Sequence, residues 1–239
     1  MIIISLTSYK QRLKYIHKVL RTLFEQTVPA DKIILNLSAK DRKYMGWRLR
    51  RMLKKGLVEV YYYDVELLPH NKYYHTMMRY RDAVVITVDD DQRYRPDMVE
   101  KLLDSYKAHP DCISANRVHR IVRDGAGNAL SYAQWESECS SIIEPSSELF
   151  ATGVGGVLYP PDILKLSEDN LPYIRRCITA DDIYLKWLEN RLGIKVVWPW
   201  SEPPYGSRKL GRAHRQRRAL CRINKDQGLN DEYLKLFRL

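Results

Sequence analysis

Three consecutive carboxylates, Asp89, Asp90 and Asp91, directly follow the apolar run Ala83-Val84-Val85-Ile86-Thr87-Val88. A continuous apolar run marks a strand buried on both faces, and open α/β sheets bind ligands at the carboxyl ends of such strands. Two unit charges about 4 Å apart cost roughly 4 kcal/mol at an effective dielectric of about 20, so acids emerging together call for a divalent cation or a proton. Oxygen-only ligands suit Mg2+ or Mn2+, whose shell is usually completed by water and a substrate diphosphate. Alternation along an extended chain predicts Asp89 and Asp91 on one side and Asp90 on the other. The plainer alternative is an acidic turn capping the helix that opens at Pro96.

Other residue groups invite the same double reading. Asp181-Asp182 lies 90 residues beyond Asp91 and opens a helical pattern. Acids there complement a helix dipole, and Thr179-x-x-Asp182 is close to a capping box. Thr7, Ser8 and Tyr9, with Arg12 after them, follow the first apolar run, where Thr-Ser is also ordinary cap chemistry. Asn71 and Lys72 begin a helical pattern, a setting that favours phosphate. The run Thr152-Gly153-Val154-Gly155-Gly156 leads into a strand, so it is not a dinucleotide fingerprint. Gly153, Gly155 and Gly156 either let backbone approach a ligand or serve a bulge or a turn of positive φ.

These groups need a scaffold, and the pattern supplies one. Strand-like runs at Ile2 to Leu6, Lys32 to Leu37, Leu57 to Tyr63 and Ala83 to Val88 alternate with helical patterns, as βαβ units of a largely parallel sheet do. Leu13, Ile16, Leu20, Leu23 and Phe24 form the apolar stripe of a helix laid on that sheet. A helix opens at Pro96, further strand runs from Asp111 to Ile121, and Arg123 to Ala129 reads as a hairpin tip. Ser131 to Ser147 resists assignment. A strand at Val157 to Tyr159, a helix over Ala180 to Leu192 and a strand at Ile194 to Trp198 complete the series.

With its flanking strand, Val85 to Asp91 (VITVDDD) resembles the DxD element of GT-A-fold glycosyltransferases. The order of Ile3 to Tyr9 with Arg12, Asn71-Lys72-Tyr73, Ala151 to Pro161 and Thr179 to Asp182 is similar to family-two-like bacterial enzymes of surface polysaccharide biosynthesis. The resemblance covers most of residues 2 to 200. It implies an α/β, GT-A-like (Rossmann-like) domain with a mostly parallel sheet flanked by helices, and inverting sugar transfer from a nucleotide-sugar, a UDP-sugar being favoured, to a glycan or lipid-linked glycan. It further implies that Thr7, Ser8 and Tyr9 hold the nucleoside, Arg12 the diphosphate, and Asp89 and Asp91 the Mn2+ or Mg2+ ion. Asn71, Lys72 and Asp90 are expected on the donor, and the three glycines near sugar or acceptor. Asp182 matches the base that takes the acceptor's proton, with Asp181 next to it as the alternative. Some enzymes of this fold class add a late histidine to the metal, which makes His214 a candidate. Trp135, Trp198 and Trp200 are open to stacking on sugar rings, whereas Trp187 falls on a core stripe.

The chain's 239 residues suit one compact domain over 1–200, with 1–91 as the nucleotide half and 92–200 as the acceptor half, followed by a basic tail at 201–239. The net charge of +11 is concentrated in Lys40 to Lys55 and Ser207 to Lys225. Such patches favour phosphates, anionic lipid or nucleic acid. The absence of a recognisable nucleic-acid module argues against the last. Two partners for the tail are expected instead: an anionic membrane for most of the run, and the donor diphosphate for one or two residues near Arg208 to Arg212 if the tail folds over the site as a lid. Neither a secretory leader nor an apolar run of membrane-spanning length is visible, so a cytoplasmic protein is expected. The nearest enzymatic rival is a nucleotidyltransferase, which uses similar carboxylates to attack phosphorus.

Overall fold

The computed structural model describes residues 1–199, 207–210 and 220–239, the last with backbone alone at 221, 222 and 225. The first half runs β1 (Ile2–Thr7), α1 (Lys10–Leu13), α2 (Ile16–Phe24), β2 (Lys32–Ser38), α3 (Trp47–Lys54), β3 (Glu59–Tyr63), α4 (Tyr74–Arg79) and β4 (Val84–Thr87). After β4 come β5 (Gln92–Tyr94), α5 (Met98–Ala108), β6 (Cys112–Ala115), β7 (Val118–Arg120), β8 (Leu149–Ala151) and β9 (Val157–Tyr159). The chain ends with α6 (Leu171–Arg176), α7 (Asp181–Leu192), β10 (Lys195–Val197), β11 (Ser207–Lys209), α8 (Leu220–Asp226) and α9 (Leu229–Phe237).

Seven strands form one sheet in the order β10-β6-β9-β4-β1-β2-β3. All neighbours are parallel except β9, which is antiparallel to β4 and to β6. This is the α/β, GT-A-like architecture expected, a mostly parallel sheet flanked by helices. From β1 the chain steps outward to β2 and β3, then crosses back to place β4 on the other side of β1. That reversal is a topological switch point, and it leaves a crevice outside the carboxyl ends of β1 and β4. Both strands are buried on both faces, which is why their sequences are apolar without alternation.

Two apolar cores lie against the sheet. One gathers Ile4, Leu6, Leu13, Ile16, Leu20 and Leu23 with residues of α5. Phe24, expected on that stripe, is 37% exposed, and Val19 is buried instead. The other packs α7 on β6, β8 and β10 and includes Trp135 and Trp198, both nearly inaccessible. Those two tryptophans are core residues whose indole N–H groups donate to the carbonyls of Leu130 and Asn116, so they are not sugar platforms. Trp187 is partly buried against the same core, and Trp200 lies outside the described residues.

The expected single strand from Asp111 to Ile121 is two. The chain leaves the main sheet at Asn116, and β7 pairs with β8 in a separate ribbon. The hairpin tip at Arg123 to Ala129 is present, its ends bridged and its turn held by backbone N–H groups donating to Asp124. The C-terminal segment is folded onto the rest where it is described: β11 pairs with β5, Leu210 joins the first core, and Leu234 and Phe237 of α9 join the second.

Candidate active site

The crevice is built from four short segments that follow buried strands or open helices. Ser8 and Arg12 lie just beyond β1, Lys72 in a 3-10 turn at Leu68–Lys72, Asp89 to Asp91 just beyond β4, and Asp181 and Asp182 at the start of α7. Hydrogen bonds and ion pairs tie the four together.

The aspartate triplet does not stay extended. The chain turns at Asp90, so the expected alternation fails. Ser8 Oγ donates to Asp90 Oδ2 at 2.6 Å, and Arg12 pairs with Asp90 Oδ1 while its other Nη lies 3.1 Å from Asp91 Oδ2. Burial nevertheless lifts the Asp90 carboxyl to about 6, against the pull of Arg12 and Ser8. Asp89 instead faces Lys72, whose Nζ lies 3.2 Å from its Oδ1. Burial raises Asp89 as well, more than Lys72 lowers it. Its backbone is fixed by Tyr94, whose hydroxyl accepts from Asp89 N–H at 2.7 Å and donates to Asp89 C=O at 3.1 Å. The counter-charge that three adjacent carboxylates require is thus supplied largely by Arg12 and Lys72, two residues expected on the donor.

Lys72 is the centre of the second group. Its buried ammonium stands 2.8 Å from Asp181 Oδ2 as well as beside Asp89. Burial opposes the charge, but Asp181, Asp89 and Asp182 together hold its pKa well above the ordinary lysine value. The turn carrying it is anchored from below. Ser5 Oγ donates to Lys72 C=O at 2.6 Å and is bridged to Thr76 and Asn36 in a buried polar triad. His70 ties the same turn to the loop before α7: its Nε2 meets Cys177 C=O at 3.0 Å and its Nδ1 meets Tyr73 Oη at 2.8 Å. A carbonyl only accepts, so the proton sits on Nε2, and burial holds the ring neutral with a pKa of about 4.

Asp181 and Asp182 behave oppositely although they are neighbours. Burial would raise Asp181, but Lys72 and then His70 keep it below the ordinary carboxylate value. Asp182 is raised to about 8, first by burial and then by the charge of Asp181, while Lys72 and the Gly153 N–H it accepts from work the other way. Asp182 remains partly exposed, as a group serving a ligand must. Neither acid caps the helix. The N-cap is Ala180, without a side-chain cap bond, and the N-cap of α1 is Tyr9, likewise without one. The cap readings of Thr179-x-x-Asp182 and of Thr7-Ser8 are therefore not realised.

The remaining candidates divide. Thr7 Oγ1 donates to Asn36 C=O at 2.8 Å, and the Tyr9 ring carries the Arg12 guanidinium at 5.5 Å. Asn71 is buried with an Oδ1 that has no partner among the described residues. A Cβ on Gly153 would stand 2.5 Å from Lys72 Nζ and 3.1 Å from Asp89 Oδ1, so the close approach its size permits is to the site's own charged groups. Gly155 and Gly156 have φ of 93° and 98°, the positive values that a turn before β9 demands. His214 lies outside the described residues. The backbone of Leu210 donates to Asp91 C=O at 2.9 Å, so β11, with Arg208 and Lys209, lies beside the triplet.

Asp41, not singled out in the sequence, is a scaffold residue: it lies in the turn after β2, is 5% exposed, is raised by burial and accepts the Lys10 backbone N–H at the start of α1. Its only sequence signal was being the lone acid of a basic run.

Among the described residues the groups beside the triplet able to ligate a metal offer oxygen, as Mg2+ or Mn2+ would require, with the Arg12 and Lys72 cations next to them. Among the described residues no three His, Cys, Asp or Glu groups stand close enough to enclose an ion. The residues therefore fit an ion held by one or two carboxylates, the partly exposed Asp89 and Asp91, with its other ligands drawn from water and a bound phosphate.

No protein-family profile matches the sequence, and no curated protein is detectably similar to it. Solved structures are similar in shape. One is 4-diphosphocytidyl-2C-methyl-D-erythritol synthase from Anaerococcus prevotii, 9% identical, with 95% of this chain and 98% of that chain covered at a TM-score of 0.50. A second is S. aureus TarS 1–349 in complex with UDP, 15% identical, with 84% and 58% covered at 0.49. A third is CMP:2-keto-3-deoxy-manno-octonic acid synthetase complexed with CTP, 14% identical, with 83% and 88% covered at 0.48. At such identities the likeness is one of fold.

Proposed function

We propose that the chain is a glycosyltransferase that moves a sugar, with inversion, from a nucleotide-sugar to a hydroxyl of a glycan or lipid-linked glycan. The observation that carries this reading is the placement of Asp182, a partly exposed carboxyl in the crevice next to Asp181, which Lys72 holds together with Asp89; burial and the Asp181 charge raise its pKa. A hydroxyl nucleophile must lose its proton as it attacks, and a base of pKa near the working pH is the most effective acceptor. Asp181, locked to Lys72, raises that basicity and holds the ammonium in place. Lys72 and Arg12 offset part of the carboxylate charge along the crevice, which lessens the repulsion that the phosphates of a donor would meet there.

Asp89 and Asp91 would hold Mg2+ or Mn2+, which when bound offsets negative charge on a departing diphosphate. Thr7, Ser8, Tyr9 and Asn71 are the proposed nucleoside contacts. UDP as the carrier, surface polysaccharide as the product class and a cytoplasmic setting rest on the sequence resemblance and expectation alone. Among the described residues no helix is long and apolar enough to cross a membrane.

Nucleotidyl transfer is the second reading, because it too uses carboxylates and a divalent cation at a strand end but attacks phosphorus. The nucleotide product separates the two: sugar transfer releases a nucleoside diphosphate, nucleotidyl transfer releases pyrophosphate.

A further inference from the structure

A groove of about 1030 Å3 runs between α2 and α3, and seven lysines and arginines line it against one carboxylate, Glu25. Lys18 and Arg21 project from α2, and Arg48 and Arg51 from α3. None of the seven forms an ion pair among the described residues, although ion pairs are common elsewhere on this surface. Basic side chains on two elements converging without acidic partners form a concentrated positive field that attracts anions. The His17 imidazole on the groove wall registers that field: burial, then Arg48, lowers its pKa, and Lys18 and Arg21 lower it further.

The groove is not only charged. Trp47 is 63% exposed and Leu57 46% exposed, and both line it. Arg48 lies over the Trp47 ring at 4.5 Å. An indole and an aliphatic side chain held in water among cations have the composition of an interfacial surface, with aromatics at headgroup depth and basic residues on anionic headgroups. A soluble polyanion would satisfy the cations and leave Leu57 wet. A bilayer satisfies both. The positive surface continues toward the crevice, for Arg93 of β5 lines the groove and stands opposite Arg208 of β11 in an antiparallel ladder. Like charges directly opposite one another in such a ladder are unfavourable unless an anion joins them.

We propose that the groove between α2 and α3, with its rim at Arg93 and Arg208, is a docking surface for an anionic phospholipid bilayer. It places the crevice at a membrane face, and it stands independently of the transfer chemistry, because docking is measured without turnover.

The test is sedimentation of the full chain with vesicles of phosphatidylcholine alone and of phosphatidylcholine mixed with phosphatidylglycerol, at low and high salt. Binding to the mixed vesicles alone is expected, weakened by salt. It should fall more than about tenfold in Arg48→Glu/Arg51→Glu, since each basic residue near an anionic surface contributes a several-fold factor. Lys18→Glu/Arg21→Glu, on the opposite wall, should give the same loss, and unchanged melting temperatures certify either variant. Absence of binding at low salt overturns the proposal, as does undiminished binding in both folded variants. A single-stranded oligonucleotide bound more tightly than the vesicles, and lost in the same variants, would make the groove a nucleic-acid site and overturn it too.

Discussion

Lys72 Nζ lies 2.8 Å from Asp181 Oδ2, and this contact joins a turn that follows β3 to a helix more than a hundred residues later. The same two segments also meet through His70, which bonds Cys177 C=O and lies edge-on to the Tyr184 ring. The pair also sets the chemistry of its neighbour, because the charge left on Asp181 helps raise Asp182.

The first prediction concerns that neighbour. Asp182→Asn should lower turnover by about 100- to 10,000-fold with little change in donor affinity. In the unaltered protein turnover should rise with pH and level off above about 8, as the base ionises. Rate against pH, measured in both proteins, checks this.

Stability should show the same group with the opposite sense. The folded state raises Asp182 above its unfolded value, so its contribution is full below about pH 4 and is lost as pH rises through about 8. The melting temperature of the unaltered protein should therefore fall more steeply from pH 6 to 9 than that of Asp182→Asn, which carries no such proton.

Breaking the buried pair should be costly. Lys72→Met leaves Asp181 and Asp89 without their shared cation and should destabilise by about 3–5 kcal/mol in urea unfolding. Adding Asp181→Asn removes one orphaned charge, so the double variant should be more stable than the sum of the single effects predicts, by about 1 kcal/mol or more.

Gly153→Ala tests the packing of the same ammonium. Its new methyl would fall 2.5 Å from Lys72 Nζ. About 1–3 kcal/mol of stability should be lost, together with most turnover, because both Lys72 and the Gly153 N–H that serves Asp182 must shift. Unfolding curves and initial rates read the two effects.

Much of this was legible in the sequence. The apolar run before Asp89 marked a central strand, and the helical stripe from Leu13 to Leu23 fixed the face that packs on it. What pairs with what was not legible. Arg12 and Lys72 stood out as candidates for phosphate, but no local pattern shows that Arg12 spans Asp90 and Asp91 or that Lys72 bridges Asp89 and Asp181, since those contacts join segments 17 to 109 residues apart. The division at Asn116 was hidden for a related reason: only the pairing of β7 with β8 sets it in another sheet. Trp135 and Trp198 looked like sugar platforms because indoles serve cores and ligands alike, and burial alone decides.

The most direct measurement of the central claim is the nucleotide released in turnover, with the cation supply controlled. A panel of nucleotide-sugars is incubated with an acceptor glycan, with chelator and then with Mn2+ or Mg2+ restored, using the unaltered protein and Asp182→Asn. The account predicts a nucleoside diphosphate and a lengthened glycan from the unaltered protein, loss of both under chelation, recovery with the ion, and near-absence of both in the variant. Pyrophosphate released in a parallel incubation that supplies nucleoside triphosphates and sugar phosphates, with no sugar moved from any donor in the panel, would contradict it.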